Sequence, residues 1–385
     1  MREPMAGLNR AVLTWARERS GLTVAQVAER IGKTSAVVAE WEAGLSGPTY
    51  PQLEKLAYDV YKRPVAIFFF SEPPAEPDIE QSFRTLPDAE LAGLSSQTRF
   101  RVRQARAMQL ALHELNDGRN PARSLVFRDI VASLASPEQT AADVRDYLGV
   151  SLDVQLTTWR SVADALRGWR DSIEDRGVFV FKHTFKQRDV SGFCLHDPEF
   201  PIIYVNNSTP ETRQIFTILH ELGHLLLASS GVTKVDDRFI TGLTGHAREV
   251  ELFCNRFAAE VLLPIASLPP LRRNAVVDQM RIAELAAQFK VSREVVLRRY
   301  RDQGVVTRAA YEEMVVGWRR QDEERAGGSG GNYYATLGAY FGQRFLTLAF
   351  GRYDQGAITV ERLADMLDVR PANVFGLEPF MLAGR

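Results

Sequence analysis

The chain has 385 residues, 45% of them hydrophobic and 25% charged, with a formal net charge of −1, which describes ordinary soluble protein of two or three domains. The charge balance by itself favours no class of partner. Two cysteines far apart in sequence, no signal peptide and no apolar run approaching a membrane span exclude a disulfide scaffold and a spanning protein, and they lead us to expect a cytoplasmic location.

Residues 8–70 form the first expected domain. Leu13, Ala16, Val24, Val27, Ala28, Ile31, Val38, Trp41, Leu53 and Leu56 fall at helical spacing, punctuated by Gly21, Gly32, Gly44 and Pro48. Four or five short helices with tight turns follow from that pattern. Residues 22–44, L-T-V-A-Q-V-A-E-R-I-G-K-T-S-A-V-V-A-E-W-E-A-G, resemble the helix-turn-helix of phage-repressor-type (XRE) regulators. The resemblance makes Thr23 and Thr34 the N-caps, Ala28 the small residue where the helices cross, Gly32 the turn, and Val38 and Trp41 the docking residues of the recognition helix. Arg30, Lys33, Thr34, Ser35 and Val37 are the candidate DNA contacts. Only two of these are basic, whereas phosphate contact and guanine reading both favour Arg or Lys.

Residues 71–78, S-E-P-P-A-E-P-D, read as a linker by composition, and 71–175 as a linker and helical connector. Arg99, Arg101, Arg103 and Arg106 read as a solvated face, Trp159 and Trp169 as core, and His113 as incidental. From Gly177 the pattern changes from period 3.6 to period 2. Residues 178–185, 190–195 and 200–207 are three expected strands of a small antiparallel sheet, with turns at 186–189 and 196–199. An edge strand here would pair with a substrate backbone, and His183 and His196 are expected on the strand surface.

Residues 215–227, I-F-T-I-L-H-E-L-G-H-L-L-L, carry His220, Glu221 and His224 as H-E-x-x-H inside an apolar helical run. On a helix, positions four apart share a face, so both imidazoles can address one metal ion. Glu221 beside that ion can take a proton from a water there and pass it to a leaving amine. A catalytic zinc site needs a third protein ligand. Residues 248–264, R-E-V-E-L-F-C-N-R-F-A-A-E-V-L-L-P, form a second helix in which Phe253, Phe257 and Val261 repeat every four residues while Glu251 and Asn255 share another side. Glu251 is the candidate third ligand and Asn255 is placed to orient it. Glu249 and Glu260 compete, the first as ordinary capping near a helix start, the second as a solvated or outer residue. His246, just ahead of this helix, is a candidate stabiliser of a tetrahedral oxyanion.

H-E-L-G-H-L-L-L followed by E-L-F-C-N-R-F-A-A-E-V-L-L-P resembles the ImmA/IrrE family of bacterial metallopeptidases, as do residues 191–207 and the R-x-x-F-T of residues 213–217. The resemblance implies a zincin-like fold at 176–326, one Zn2+ per chain on His220, His224 and Glu251, and Glu221 as general base. Cys254 stands where the family more usually has Ala, a small change that puts no ligand in doubt. Further on, residues 282–300 and 358–374 echo the pattern of 22–38, and Arg293, Arg298, Arg299 and Arg301 make the first of these basic enough to consider nucleic acid there. An inter-helix packing motif is the plainer reading. Residues 326–331, A-G-G-S-G-G, are a flexible linker, and 332–385 a helical tail.

The expected fold class is therefore α+β and mostly helical: a five-helix repressor-like domain, a zincin-like domain with a small antiparallel sheet, and a helical C-terminal tail. The expected function is a regulator that cleaves a repressor or antitoxin-like protein and contacts DNA through its helix-turn-helix. Membranes are not among the expected partners, and a homodimer is compatible with the sequence. The alternative is a DNA-binding regulator whose zincin-like domain senses or scaffolds without turnover.

Overall fold

A computed structural model describes residues 7–77, 79, 83, 91–235, 237–271, 278–325 and 333–382. The linker expected at 326–331 lies outside the described residues, as does most of 82–86. The chain divides into two compact units, Met1–Gln104 and Ala105–Arg385. Among the described residues no helix is long and apolar enough to cross a membrane.

In the first unit, α1 (Arg10–Arg19), α2 (Val24–Ile31), α3 (Ser35–Ala43) and α4 (Tyr50–Glu54) surround one apolar cluster, with α4 continuing through a wider turn at Lys55–Tyr61 and a 3-10 turn at Val65–Phe69. Thr23 caps α2 as a full capping box with Gln26, and Gly32, at φ 67°, takes the left-handed conformation that ends the helix. Thr34 occupies the N-cap of α3 but makes no side-chain cap bond. Ala28, Val38 and Trp41 are buried at the crossing, as a helix-turn-helix requires. Two of the arginines expected on a solvated face, Arg99 and Arg103, serve the interior of this unit instead. Arg99 donates to the carbonyls of Leu91 and Leu94, and Arg103, whose pKa burial pulls down to about 10, donates to that of Tyr61. Their long stems carry guanidinium groups to orphan helix-end and loop carbonyls.

The second unit is built on a sheet and two helices. The sheet is mixed rather than antiparallel and has four strands: β1 (Phe179–His183), β2 (Val190–Leu195), β3 (Ile202–Asn206) and β4 (Gly231–Lys234), in the order β1-β3-β2-β4. β1 runs parallel to β3, from Phe179 beside Ile202 to His183 beside Asn206, and both β3 and β4 are antiparallel to β2. A hairpin between β1 and β2 is replaced by a crossing connection. The buried Asn206 side chain ties that connection to the end of β3 by donating to the carbonyls of Gln187 (3.2 Å) and Val190 (2.8 Å). β2, β3 and β4 are buried along their whole length, so their sequences lack a clean polar alternation.

α5 (Pro137–Leu148), α6 (Val162–Glu174), α7 (Glu211–Leu226) and α8 (Gly245–Leu262) complete this core, with α6 against β1, α7 against β2 and β3 and along α8, and α5 along α8. Trp159 and Trp169 meet edge to face at 5.3 Å inside the core, as expected. α7 is buried on every side from Gln214 onward, the mark of a helix at the centre of a domain. α9 (Gln279–Phe289), α10 (Arg293–Asp302) and α11 (Arg308–Arg325) follow, and the tail, 333–382, sets Phe345 edge-on against Phe181 of β1 at 5.2 Å.

Candidate metal centre

α7 carries His220 and His224 one turn apart, and α8 brings Glu251 to both. The two Nε2 atoms are 3.2 Å apart. Glu251 Oε2 lies 3.4 Å from Nε2 of His220, and its Oε1 lies 3.3 Å from Nε2 of His224. A tetrahedral ion with ligand bonds of roughly 2.0 Å spaces its ligands about 3.3 Å apart. The three side chains therefore stand at co-ligand spacing. Among the described residues neither Glu251 oxygen accepts a hydrogen bond, although the residue is fully buried and its nearest charges are the two imidazoles. A buried carboxylate held by imidazoles alone is costly, and a divalent cation within this triangle would satisfy all three donors.

The outer nitrogens are held as well. Asn255 Oδ1 lies 3.1 Å from Nδ1 of His220, and Ser229 Oγ lies 3.4 Å from Nδ1 of His224. A proton kept on each Nδ1 leaves Nε2 with the lone pair that a metal needs. Asn255 thus orients His220 rather than Glu251. Burial would raise the Glu251 pKa, but His224 and His220 outweigh it and hold the carboxylate at about 2 in the metal-free chain.

Glu221 is fully buried beside this triangle. Thr233 of β4 donates to its Oε1 at 2.5 Å, while Oε2 has no hydrogen-bond partner among the described residues. One oxygen is anchored and the other is available for proton transfer. β4 approaches closely enough that a Cβ on Gly231 would stand 2.4 Å from Cδ2 of the His224 ring, so no larger residue fits there. Cys254 is part of the cluster too. A donor atom each from His220, His224 and Cys254 all lie within 4.8 Å of one another, and burial raises the Cys254 thiol above its ordinary pKa. The sequence treats this cysteine as inconsequential, whereas the structure makes it a neighbour of both histidines.

Other candidates fall elsewhere. The His246 side chain is 76% exposed, its Nδ1 3.9 Å from the equally open Glu249, and it is not brought into the buried cluster. Glu260 is neither solvated nor near a metal ligand role: it pairs with Arg299 and accepts from the Ile265 amide at 3.2 Å. His183 stacks against Tyr340 at 4.6 Å. Arg30, Lys33, Thr34 and Ser35 are exposed and Val37 is half-buried, while Arg17 is committed to Glu42 at 2.7 Å. α9 and α10 do form a second helix-turn-helix, with Ser292 capping α10. Its Arg298 and Arg299 are buried in pairs with Glu294 and Glu260, which supports packing over nucleic-acid contact.

Residues 13–57 match a helix-turn-helix family model, and residues 173–301 match that of the IrrE N-terminal-like domain. The chain joins a helix-turn-helix domain to an IrrE-like domain. Two proteins called radiation response metalloprotease IrrE are similar to part of this chain. That of Deinococcus radiodurans is 30% identical over 100 residues, covering 25% of this chain and 29% of its own length. That of Deinococcus deserti is 32% identical over 103 residues, covering 25% and 34%. The chain thus spans about a third of the length of these relatives. No solved structure gives a significant match. Both helices that carry the candidate ligands, α7 and α8, lie within the IrrE-like match.

Thr233, Gly231 and Ser229 escaped the sequence reading because the strand they belong to or precede is only four residues long, in a polar, Gly-containing stretch. The only trace of β4 is the short V-T-K-V after Gly231.

Proposed function

We propose that the IrrE-like domain is a zinc-dependent endopeptidase and that the helix-turn-helix directs it to DNA-associated regulation, with a repressor or antitoxin-like protein as substrate. The observation that carries this reading is the donor triangle of 3.2, 3.3 and 3.4 Å edges closed by a carboxylate with no other partner. Zinc bound by His220, His224 and Glu251 would supply Lewis acidity at a scissile carbonyl. Glu221 moves the proton through its unpartnered Oε2 while Thr233 holds Oε1. Asn255 and Ser229 keep the imidazoles in register, and full burial excludes bulk water from the donors. The proposed domain limits are 8–70, 71–175, 176–326 and 332–385, and a cytoplasmic setting suits both activities.

A second reading draws on Cys254. If its thiolate joined the other three ligands, the ion would have four protein donors, the closed arrangement of structural zinc, and the domain would be a scaffold without turnover. Metal analysis and proteolysis on the same preparations separate the two readings. About one zinc per chain, lost in His220→Ala and Glu251→Ala, together with cleavage of a partner protein that Glu221→Gln abolishes while keeping zinc, supports the peptidase. Stoichiometric zinc without any Glu221-dependent cleavage, combined with a thiolate charge-transfer band after cobalt substitution, supports the scaffold.

A further inference from the structure

A cavity of about 550 Å³ opens between α8, α10 and α11, with Ile240 and Thr241 at one rim. α8 contributes Arg248, Leu252, Asn255 and Arg256 to its wall. Asn255 is the same residue that bonds Nδ1 of His220, so the cavity and the metal centre share a side chain. The charges in the wall do not cancel. Its three carboxylates are all taken: Glu294 by Arg298 at 3.4 Å, Asp302 by Arg301 at 2.8 Å and Glu312 by Arg308 at 2.7 Å. Arg248 and Arg256 are exposed and have no carboxylate partner among the described residues. They stand eight positions apart on one helix, roughly 12 Å along its axis, with Leu252 midway. Leu252 and Val315 add an apolar floor to the same lining.

We propose that this cavity docks a carboxylate-bearing stretch of polypeptide, held by Arg248 and Arg256, with apolar side chains between the charges. This rests on the peptidase reading and names the chemistry of its substrate. Two unpaired guanidinium groups offer forked donors of the shape a carboxylate accepts, and the apolar floor accommodates side chains rather than sugars. The apolar floor in the same lining sets a peptide with apolar side chains above nucleic acid, whose sugar-phosphate backbone is polar throughout. The shared Asn255 places a chain docked here beside the metal centre.

The test uses the full-length Glu221→Gln protein, so binding is read without turnover. Three short fluorescein-labelled peptides of Ser and Leu are compared by anisotropy: one with internal glutamates and an amidated C-terminus, one neutral with a free C-terminal carboxylate, and one with internal lysines. The glutamate or the free-carboxylate peptide should bind at least about tenfold more tightly than the lysine peptide, and which of the two does so tells internal from terminal carboxylate. That preference should shrink as salt is raised, vanish in Arg248→Ala/Arg256→Ala and invert in Arg248→Glu/Arg256→Glu. Equal binding of all peptides, binding of none, an unchanged preference in the double variants, or competition by duplex DNA as strong as that by the acidic peptide would each overturn the proposal. Because the readout is binding, a domain that never cleaves peptide can still pass it, and an active peptidase can still fail it.

Discussion

Two helix pairs in this chain carry a recognisable motif, and they differ in where their polar side chains point. In α2 and α3 the candidate residues Arg30, Lys33, Thr34 and Ser35 face solvent. In α7 and α8 the candidates His220, Glu221, His224 and Glu251 are at most 1% exposed and converge on one another. The two orientations carry different inferential weight. A polar residue on a surface costs the fold nothing, so its presence says little about use. A buried imidazole pair facing a buried carboxylate that accepts no hydrogen bond is costly to the fold unless something binds there, so the arrangement itself argues for a ligand.

The largest expected effect follows from that argument. Glu251→Ala should lower zinc affinity by more than about a hundredfold, beyond what losing an outer partner costs, as read by competition with a chromogenic chelator. Retention of stoichiometric zinc in this variant would point to Cys254 as the third donor and break the contrast drawn above. Next comes Gly231→Ala, where the added methyl collides with the His224 ring. We expect a stability loss of about 1–3 kcal/mol in denaturant unfolding together with weakened zinc binding. Unchanged behaviour would mean that β4 does not confine that imidazole.

What the sequence made legible follows the same division. The α7 motif was readable because 3.6 residues per turn fixes His220 and His224 on one face whatever else the fold does, and Glu251 was readable from its place on a second amphipathic helix. Capping at Thr23 and the turn at Gly32 were equally local. The sheet was only partly readable. Strands buried on both faces lose their alternation, so nothing in β1 announces that it pairs parallel with β3 instead of turning back on β2. β4 was missed because four residues carry too little pattern, and with it went Thr233, the anchor of Glu221. The partners of Arg99, Arg103, Arg298 and Arg299 were unreadable for another reason. A long side chain reaches across elements, and composition alone cannot tell a solvated arginine from one that ties down a carbonyl.

Two smaller changes sharpen the description of the inward-facing pair. Asn255→Ala removes the bond to Nδ1 of His220 and should weaken zinc by about ten- to a hundredfold, with Asn255→Asp restoring most of it. Thr233→Val frees Glu221 Oε1 without touching a ligand. Zinc content should stay at wild-type level while the cleavage rate falls by about tenfold, a split between binding and turnover that a merely structural threonine would not produce.

The smallest expected effect addresses the outward-facing pair. Thr23 and Thr34 occupy equivalent N-cap positions on successive helices, yet only Thr23 makes the capping bond, as part of a box with Gln26. Thr23→Ala should therefore destabilise the helix-turn-helix by about 1 kcal/mol, and Thr34→Ala by less than about half of that, in thermal unfolding of the full chain. If Thr34 touches phosphate instead of the helix, its substitution should weaken duplex DNA binding while leaving the melting temperature in place, and Thr23→Ala should do the reverse. Equal thermal losses in the two variants, with DNA affinity unchanged in both, would show that the threonine at the start of α3 is a cap like its neighbour and that this helix pair makes no use of the residue it turns to solvent.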